Sequence, residues 1–457
     1  MAVSTFLAAV KAELSEDAKV ISDSSTEEFK LALERWTDRD LKTPGAIVLV
    51  ATEQDIVKTV KLALKHNVPF VPKSGGHSAW STIGQEGIII DLCRFNNVTI
   101  DKSMETVTIQ SGIVNKQLIG ALYENGLCLP LGGGNTIGSV PQALGGGLCA
   151  LSKLCGNTSD NILSARLITS TGELITVDDH TPDLLWALKG AGQHFGLVTE
   201  LTLQAYPIST LRSEDGTLWT GTFIFPVDKM GEIASVAATL MDDKDHNSAN
   251  IAVVTPNPES GAPCILVMCL VFGSTAEAEE YTAPIKALSP FMAMENRINY
   301  FNINDGLDPF CAKGGFKQFK LMGATRFDPE PWKEIAEMFV ELKERCPDVV
   351  SGGFGFEWVT GTQKKVELDS AWAHTEVKSW LESLSWYTNA DSGPAVDEAT
   401  ERALAAATRS FKPEEIHTYQ NFSRDTSLES RFGSRERVEK LKALKKKWDP
   451  QDVFTKI

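Results

Sequence analysis

Apolar and polar positions predict a β-α-β unit early in the chain. The run AIVLVA (46–51) is typical of a short buried strand, and EQDIVKTVKLALKHN (53–67) repeats apolar residues at helical spacing. Thr52 precedes this helix and Asp55 follows three residues later, which is the spacing of a capping box. VPFVP (68–72) indicates a second strand directly after the helix. The three elements together predict a compact unit at the start of a domain.

The pattern changes after Pro207, where strand-like runs begin to alternate with helical patterns. The strand-like runs cover 216–227, 250–256, 264–273, 316–327, 352–361 and 377–388. The clearest helical patterns cover 275–288, 330–345 and 394–409. A mostly antiparallel sheet backed by helices explains this alternation. The chain as a whole is therefore predicted to have an α+β fold with a second domain in this region.

Glycine is concentrated in one part of the chain, where 15 of the 35 glycines lie between Gly75 and Gly156. Four segments combine glycine with Ser, Thr or Asn: SGGHS (74–78), GGGNTIGS (132–139), LGGGLCALSKLCGNTSDN (144–161) and GAGQHFGLVTEL (190–201). Successive backbone N–H groups without Cβ atoms in the way can bind a pyrophosphate even where lysines are scarce. Tight turns would explain one Gly-Gly pair, but four such segments favour a phosphate-binding site.

The charge balance argues against two classes of partner. Lys and Arg number 44 against 60 Asp and Glu, for a net charge of −16. Such a chain is a poor ligand for nucleic acid or an anionic membrane, because phosphates attract clusters of Lys and Arg. The sequence has no run of 18 apolar residues, and its N-terminal apolar run is too short for a signal peptide. We therefore expect a cytoplasmic monomer or homodimer that binds neither nucleic acid nor membrane.

Several common site motifs are missing or out of context. Residues 145–150 satisfy GxGxxA, but the preceding residues are too short and polar for a buried strand, and no acid follows at the required distance. The chain has no P-loop, HExxH, EF-hand or Gly-x-Ser-x-Gly pattern. Its eight cysteines form no CxxC pair, so no metal site is expected.

The ordered set of segments resembles the berberine-bridge-enzyme-like FAD-linked oxidoreductases, within the vanillyl-alcohol oxidase/p-cresol methylhydroxylase (PCMH) superfamily. Besides the glycine segments, the matching stretches are 43–78, 88–101, 181–201, 418–422 and 438–454. The resemblance implies a PCMH-type FAD-binding domain in residues 1–207 and an inserted substrate-binding domain in 208–411. Residues 412–457 would form a C-terminal segment that returns to the FAD domain.

The resemblance also implies the cofactor contacts. FAD would be attached covalently, through its 8α-methyl group, to His77 of the GGHS motif. A covalent imidazole would raise the flavin potential and favour hydride removal from a poor donor. The other implied cofactor residues are Lys73, Ser74, Gly75, Gly76, Ser78, Gly134, Asn135, Thr136, Ile137, Gly138, Gly145, Gly146, Gly147, Leu148, Ser152, Asp160, Asn161, Gly196, Val198, Tyr419 and Asn421.

Two positions depart from the family pattern. Many members have a second covalent link from a cysteine at the position of Gly134, so a single link is expected here. The last residue of the C-terminal motif is often a tyrosine that acts as base, but this chain has Phe422. The remaining candidates for catalytic residues are His374, Glu357 and Tyr387, with Asn421 of the C-terminal motif. A histidine suits proton transfer near neutral pH, and burial would raise the pKa of Glu357.

The resemblance implies a flavoenzyme that oxidises a small, fairly apolar molecule by hydride transfer, within secondary-metabolite biosynthesis. Dioxygen or another acceptor would take up the electrons. Ile137 stands where the family commonly has valine in good oxidases, which favours slow use of dioxygen, but oxidase and dehydrogenase both stay open. The alternatives for the function are a carbohydrate or primary-alcohol oxidase and a cyclase that keeps FAD only as a scaffold.

Overall fold

A computed structural model describes residues 2–213, 216–362, 369–422 and 425–457. The chain begins with a layer of helices around a four-stranded sheet. Its elements are α1 (Ala2–Glu13), β1 (Lys19–Ile21), α2 (Glu27–Leu33), β2 (Ala46–Leu49), α3 (Glu53–Lys65), β3 (Phe70–Lys73) and β4 (Ile88–Asp91). The strand order is β1-β2-β4-β3, in which β4 runs parallel to both β2 and β3. The predicted capping box of Thr52 and Asp55 is present at the start of α3.

A second, five-stranded antiparallel sheet follows, with order β5-β6-β10-β8-β9. The strands of this region are β5 (Val98–Asp101), β6 (Thr106–Gln110), β7 (Leu127–Cys128), β8 (Ile162–Ile168), β9 (Leu174–Val177), β10 (Leu197–Gln204) and β11 (Tyr206–Pro207), where β7 pairs with β11. The helices are α4 (Asn115–Glu124), α5 (Ser139–Leu144), α6 (Ser152–Cys155) and α7 (Pro182–Ala191). The glycine segments lie between these elements, so the two sheets hold them in place.

The region after Pro207 forms an eight-stranded antiparallel sheet, with order β15-β12-β14-β13-β17-β18-β16-β19. Its strands are β12 (Thr217–Phe225), β13 (Asn247–Pro256), β14 (Pro263–Phe272), β15 (Met292–Asn299), β16 (Phe316–Ala324), β17 (Val349–Thr360), β18 (Ser379–Tyr387) and β19 (Ile416–Thr418). The helices are α8 (Met230–Leu240), α9 (Thr275–Lys286), α10 (Asp308–Cys311), α11 (Trp332–Arg345) and α12 (Gly393–Thr408). The α+β prediction is confirmed, although the exposed edge strand β15 and helix α8 were not predicted.

The alternation of side chains along the sheet strands decides which face meets the helices. On β17, Phe354, Phe356 and Trp358 belong to the core cluster that also contains α8, α11 and α12 residues. Glu357 points to the opposite face, because neighbouring side chains on a strand alternate. That opposite face is the one that faces the glycine segments.

The chain ends with α13 (Leu428–Phe432) and α14 (Arg435–Trp448). Val438 and Leu441 of α14 are buried in the same core cluster as the five-stranded sheet and α7. The C-terminal helix therefore packs on the first half of the molecule. None of the helices described is both long and apolar enough to cross a bilayer.

Candidate active site

A cavity of about 1580 Å³ is lined on one side by the glycine segments and on the other by the eight-stranded sheet. Pockets for drug-sized ligands have volumes of roughly 300–1,000 Å³. The cavity is therefore large enough for a dinucleotide cofactor and a second molecule beside it.

Most of the residues predicted from the sequence line this cavity. They are Lys73, Ser74, Gly75, Gly76, His77, Ser78, Ile137, Gly138, Leu148, Ser152, Gly196, Val198, Glu357, His374, Tyr419 and Asn421. The other predicted residues are outside the lining: Gly134, Asn135, Thr136, Gly145, Gly146, Gly147, Asp160, Asn161 and Tyr387.

The loop 74–78 has the backbone expected of a phosphate site. Within the described ranges, the N–H groups of Gly75, Gly76, His77 and Ser78 donate to no other residue. A Cβ on Gly75 would lie 2.2 Å from the carbonyl oxygen of Thr136, and Gly76 has a φ of +77°. Only glycine allows this close approach and this conformation. Converging amides without partners suit the oxygens of a pyrophosphate.

Two buried cations lie beside this loop. Lys73 donates to the carboxylate of Asp91 and to the carbonyl of Ala32, each at 2.8 Å. Arg35 is 3% exposed, and its three guanidinium nitrogens have no hydrogen-bond partner among the described residues. Burial lowers the pKa of Arg35 to about 10, so its side chain stays charged at neutral pH. An unpaired buried cation favours an anionic group in the cleft.

The glycines 145–147 pack against the C-terminal motif rather than lining the cavity themselves. The Tyr419 hydroxyl accepts the N–H groups of Gly147 at 3.2 Å and Leu148 at 3.4 Å. It also accepts a hydrogen bond from the Asn421 amide at 2.9 Å. A Cβ on Gly146 would lie 2.3 Å from the Trp372 ring. These contacts join the two halves of the molecule beside the cavity.

Gly134 is next to a cysteine from a distant part of the chain. A Cβ on Gly134 would lie 2.7 Å from Cδ1 of Ile137 and 2.9 Å from the Cys311 sulfur. Burial raises the pKa of Cys311 to about 11, which keeps it as an unreactive thiol at neutral pH. Cys128, Cys149 and Cys155 lie in the core cluster of the five-stranded sheet.

Two glutamates from adjacent strands share the substrate side of the cavity. Glu357 of β17 lies opposite Trp380 of β18, and Glu382 of β18 lies opposite Gly355 of β17. The two glutamate side chains are therefore on the same face of the sheet, and both line the cavity. Burial raises the pKa of both carboxyl groups, and the charge of Glu357 raises that of Glu382 further. One member of such a pair readily holds a proton at neutral pH while the other is ionised.

His374 is buried beside the same wall but makes a poor base. Its Nδ1 lies 3.1 Å from Nδ1 of His417, and its ring contacts Trp372 and Trp380 edge-on. Burial, followed by the neighbouring His417, lowers the pKa of His374 to about 3.

Tyr387 lies on the helix side of the sheet, where its ring stacks on Phe316.

Comparisons with known proteins give the family. A family model described as an FAD binding domain matches residues 44–178. The FAD-linked oxidoreductase hasG of Aspergillus fumigatus is 30% identical over 453 residues, which are 93% of each chain. The protein belongs to the FAD-linked oxidoreductases. It is therefore an FAD-binding oxidoreductase.

Solved structures of low identity share the fold of this FAD-linked oxidoreductase. Physcomitrella patens BBE-like 1 has a TM-score of 0.82 and 20% identity, and the match covers 98% of this chain and 97% of that one. Glucooligosaccharide oxidase from Acremonium strictum, which has a 6-S-cysteinyl, 8α-N1-histidyl FAD, has a TM-score of 0.80 and 18% identity, over 98% and 97% of the two chains. These matches show the fold alone.

Sequence reasoning missed several residues of the oxidoreductase site. Glu382 was not predicted, although a lone acid in the strand SWLESLSWY is a detectable signal. Arg35 and Trp36 lie just before the first matched segment, and Cys311 is the last residue of the short helix α10, between β15 and β16. Residues 452–456 also line the cavity, so the C-terminus contributes to the cofactor side.

Proposed function

We propose that this FAD-linked oxidoreductase oxidises a small, largely apolar organic molecule by hydride transfer to FAD, in secondary-metabolite biosynthesis. The observation that carries the proposal is the Glu357–Glu382 pair, which lies in the same cavity as the amide loop 74–78. The biosynthetic role is supported by similarity to FAD-linked oxidoreductases of Aspergillus species.

The wall around the glutamates supports an apolar substrate. Besides Trp380, the inner face of the sheet presents aliphatic side chains to the cavity: Ile251, Val253, Met268, Leu270, Leu321 and Leu384. An apolar wall with a few placed polar groups is typical of sites for small organic ligands.

The glutamate pair would accept the proton that leaves with the hydride. FAD, when bound, supplies the hydride acceptor. A hydroxyl or amine can lose its proton to the ionised member of the pair, since a general base works best with a pKa near the working pH. His374 would be a neutral ring that packs in the wall of the site, because its pKa is lowered to about 3.

We further propose that FAD is held through a single covalent link to His77. The unpaired amides 75–78 and the cation Arg35 support the position of the pyrophosphate beside this histidine. A second link is disfavoured because residue 134 is glycine and the nearby Cys311 has a raised pKa. The 8α-N1-histidyl FAD of the Acremonium strictum oxidase supports a histidyl attachment in this fold.

Anaerobic mixing tests the redox proposal. Oxidised enzyme is mixed with benzyl alcohol, benzylamine or cellobiose, and the flavin absorbance is followed. Bleaching by an aromatic probe, but not by cellobiose, is the expected result. Bleaching by cellobiose alone would favour the carbohydrate oxidase alternative, which structural neighbours such as xylooligosaccharide oxidase represent. Product formation without bleaching would favour a scaffold role for FAD.

A further inference from the structure

The two ring nitrogens of His77 have different surroundings. Nε2 lies 2.7 Å from the Thr136 hydroxyl, and that hydroxyl lies 3.5 Å from the carbonyl oxygen of Cys311. A hydroxyl has one proton to donate. Because the Cys311 carbonyl can only accept, the Thr136 hydroxyl can donate to it while it accepts the Nε2–H of His77. This arrangement places the ring proton on Nε2 and leaves the lone pair on Nδ1.

The face of the His77 ring is stacked on Trp36. The two ring centroids are 5.8 Å apart and the planes differ by 19°. The ammonium group of Lys317 lies 5.3 Å from the centroid of Trp36. A positive charge is therefore held close to the indole that covers the histidine.

The position of this charge is fixed. The Lys317 ammonium donates to the carbonyls of Trp36, Ala312 and Gly314 at 2.5 to 2.7 Å. It also lies 3.9 Å from the ring centroid of Trp386. All three ammonium protons have acceptors, so the group cannot turn away from Trp36.

The charged groups around His77 come from three elements. Burial lowers its pKa to about 4, and the charges of Lys317 and Lys313 lower it further in the same direction. Lys313 is paired with Glu34 at 3.4 Å, and Asp38 offsets part of the Lys317 charge. The balance leaves His77 neutral at physiological pH.

We propose that Thr136 and Lys317 are positioning residues that prepare His77 to form its bond to the flavin. Thr136 holds the proton on Nε2, and Lys317 disfavours the imidazolium form. Nδ1 is then the nucleophile. The inference rests on the proposed covalent link to His77.

Formation of the covalent bond to the flavin is a two-electron oxidation, and dioxygen is the oxidant. A bond forms between Nδ1 of His77 and the 8α carbon of the flavin, while the imidazole loses its Nε2 proton and the methyl group loses one hydrogen. The two electrons pass through the flavin to dioxygen, which takes up both hydrogens and becomes hydrogen peroxide.

The test follows covalent attachment in the full-length apoprotein, made in riboflavin-starved cells and then supplied with FAD and air. Samples are precipitated in acid at intervals, and the flavin that stays with the protein is measured. Non-covalent FAD binding, measured in parallel, shows that each variant is folded. Thr136→Val should attach flavin at least about tenfold more slowly, a loss of roughly 1.4 kcal/mol. Thr136→Ser, which keeps the hydroxyl, should stay within about twofold of the wild type.

Removal of the Lys317 charge should change how the rate of flavin attachment depends on pH. An ordinary histidine is mostly protonated at about pH 5.5 and neutral at about pH 8. Lys317→Met should attach flavin at the wild-type rate at the higher pH, but up to about threefold more slowly at the lower pH, because burial still lowers the pKa of His77 in this variant. Lys317→Arg should behave as the wild type. If Lys317→Met does not fold, Lys313→Ala removes the second cation at an exposed position and should shift the profile in the same direction.

Different outcomes distinguish this inference from the covalent proposal. No acid-stable flavin in the wild type would overturn the covalent link and, with it, this inference. Acid-stable flavin in the wild type, with Thr136→Val equal to Thr136→Ser and no pH shift in the lysine variants, would overturn the positioning roles alone.

Discussion

The two sides of the cavity are built in different ways. The cofactor side is mainly backbone: loop 74–78 presents unpaired amides and touches the segment that ends at Gly138 so closely that side chains are excluded. The substrate side is an open sheet face, where the chemistry depends on single side chains such as Glu357 and Glu382. A backbone site tolerates few changes of shape, whereas a side-chain site can change its chemistry without changing the fold.

The largest effect is expected on the cofactor side. Gly75→Ala would place a Cβ 2.2 Å from the carbonyl oxygen of Thr136, which forces the loop to move and costs about 1–3 kcal/mol. We expect a protein purified with little or no FAD, measured by its absorbance ratio. Gly231→Ala in α8 is the control, because the nearest atom to its Cβ is at 3.6 Å, and it should keep a full complement of FAD. Full FAD occupancy in Gly75→Ala would show that the loop is not closely fitted.

The glutamate pair provides the next effect, on rate rather than on binding. Replacement of both Glu357 and Glu382 by Gln should slow flavin reduction by about 10²–10⁴-fold, the usual contribution of a general base, with FAD content unchanged. Glu295→Gln is the matched control, since Glu295 lines the same cavity at the sheet edge but is paired with Lys286 at 2.7 Å. Wild-type rates in the double variant would remove the pair from the mechanism.

The same pair predicts the direction of the pH dependence. The raised pKa values mean that the reactive, ionised form gains population as pH rises through neutrality, so the reduction rate should rise with pH. Glu357→Gln removes the like charge beside Glu382, which lowers the pKa of Glu382 and shifts the part of the rising limb that belongs to Glu382 to lower pH. A limb that stays in place would show that the two carboxyl groups are not coupled.

A smaller effect is expected at Ile137, where the two sides meet. Its Cδ1 fills the space beside Gly134, next to Cys311. Ile137→Val removes one methyl group and should speed the reaction of reduced enzyme with dioxygen by up to about tenfold, or roughly 1.4 kcal/mol. Stopped-flow reoxidation measures this rate. Ile119→Val in the buried core of α4 is the control, and equal rates in both variants would exclude a steric gate at residue 137.

The smallest effect on turnover is expected at Tyr387, on the face of the eight-stranded sheet that is turned away from the cavity. Tyr387 faces the helices, and Arg39 is the charged group that acts on its hydroxyl to lower its pKa against the effect of burial. Tyr387→Phe should leave turnover within about twofold and lower the free energy of unfolding by about 0.5–1.5 kcal/mol. A larger loss of turnover, with stability unchanged, would place Tyr387 in the reaction after all.

The same contrast explains what the sequence could predict. The cofactor side is local: GGHS and the glycine segments each form their part of the cavity within a few residues, so their pattern is visible in one chain. The substrate side is non-local. Glu357 was predicted as a candidate, but its partner Glu382 becomes a neighbour only through the pairing of β17 with β18. Cys311 likewise approaches Gly134 across 177 residues of sequence. His374 was identified as a base candidate from its residue type, whereas its burial beside His417 depends on the fold.

The central claim is that the backbone side of the cavity holds FAD through one bond to His77. Mass spectrometry of a proteolytic digest of the purified holoenzyme tests it directly. We expect one flavin-bearing peptide, which contains His77, and its loss in His77→Ala but not in His180→Ala, where the histidine is exposed and outside the cavity lining. A digest with no flavin-bearing peptide, or with flavin on a peptide that contains Cys311, would contradict it.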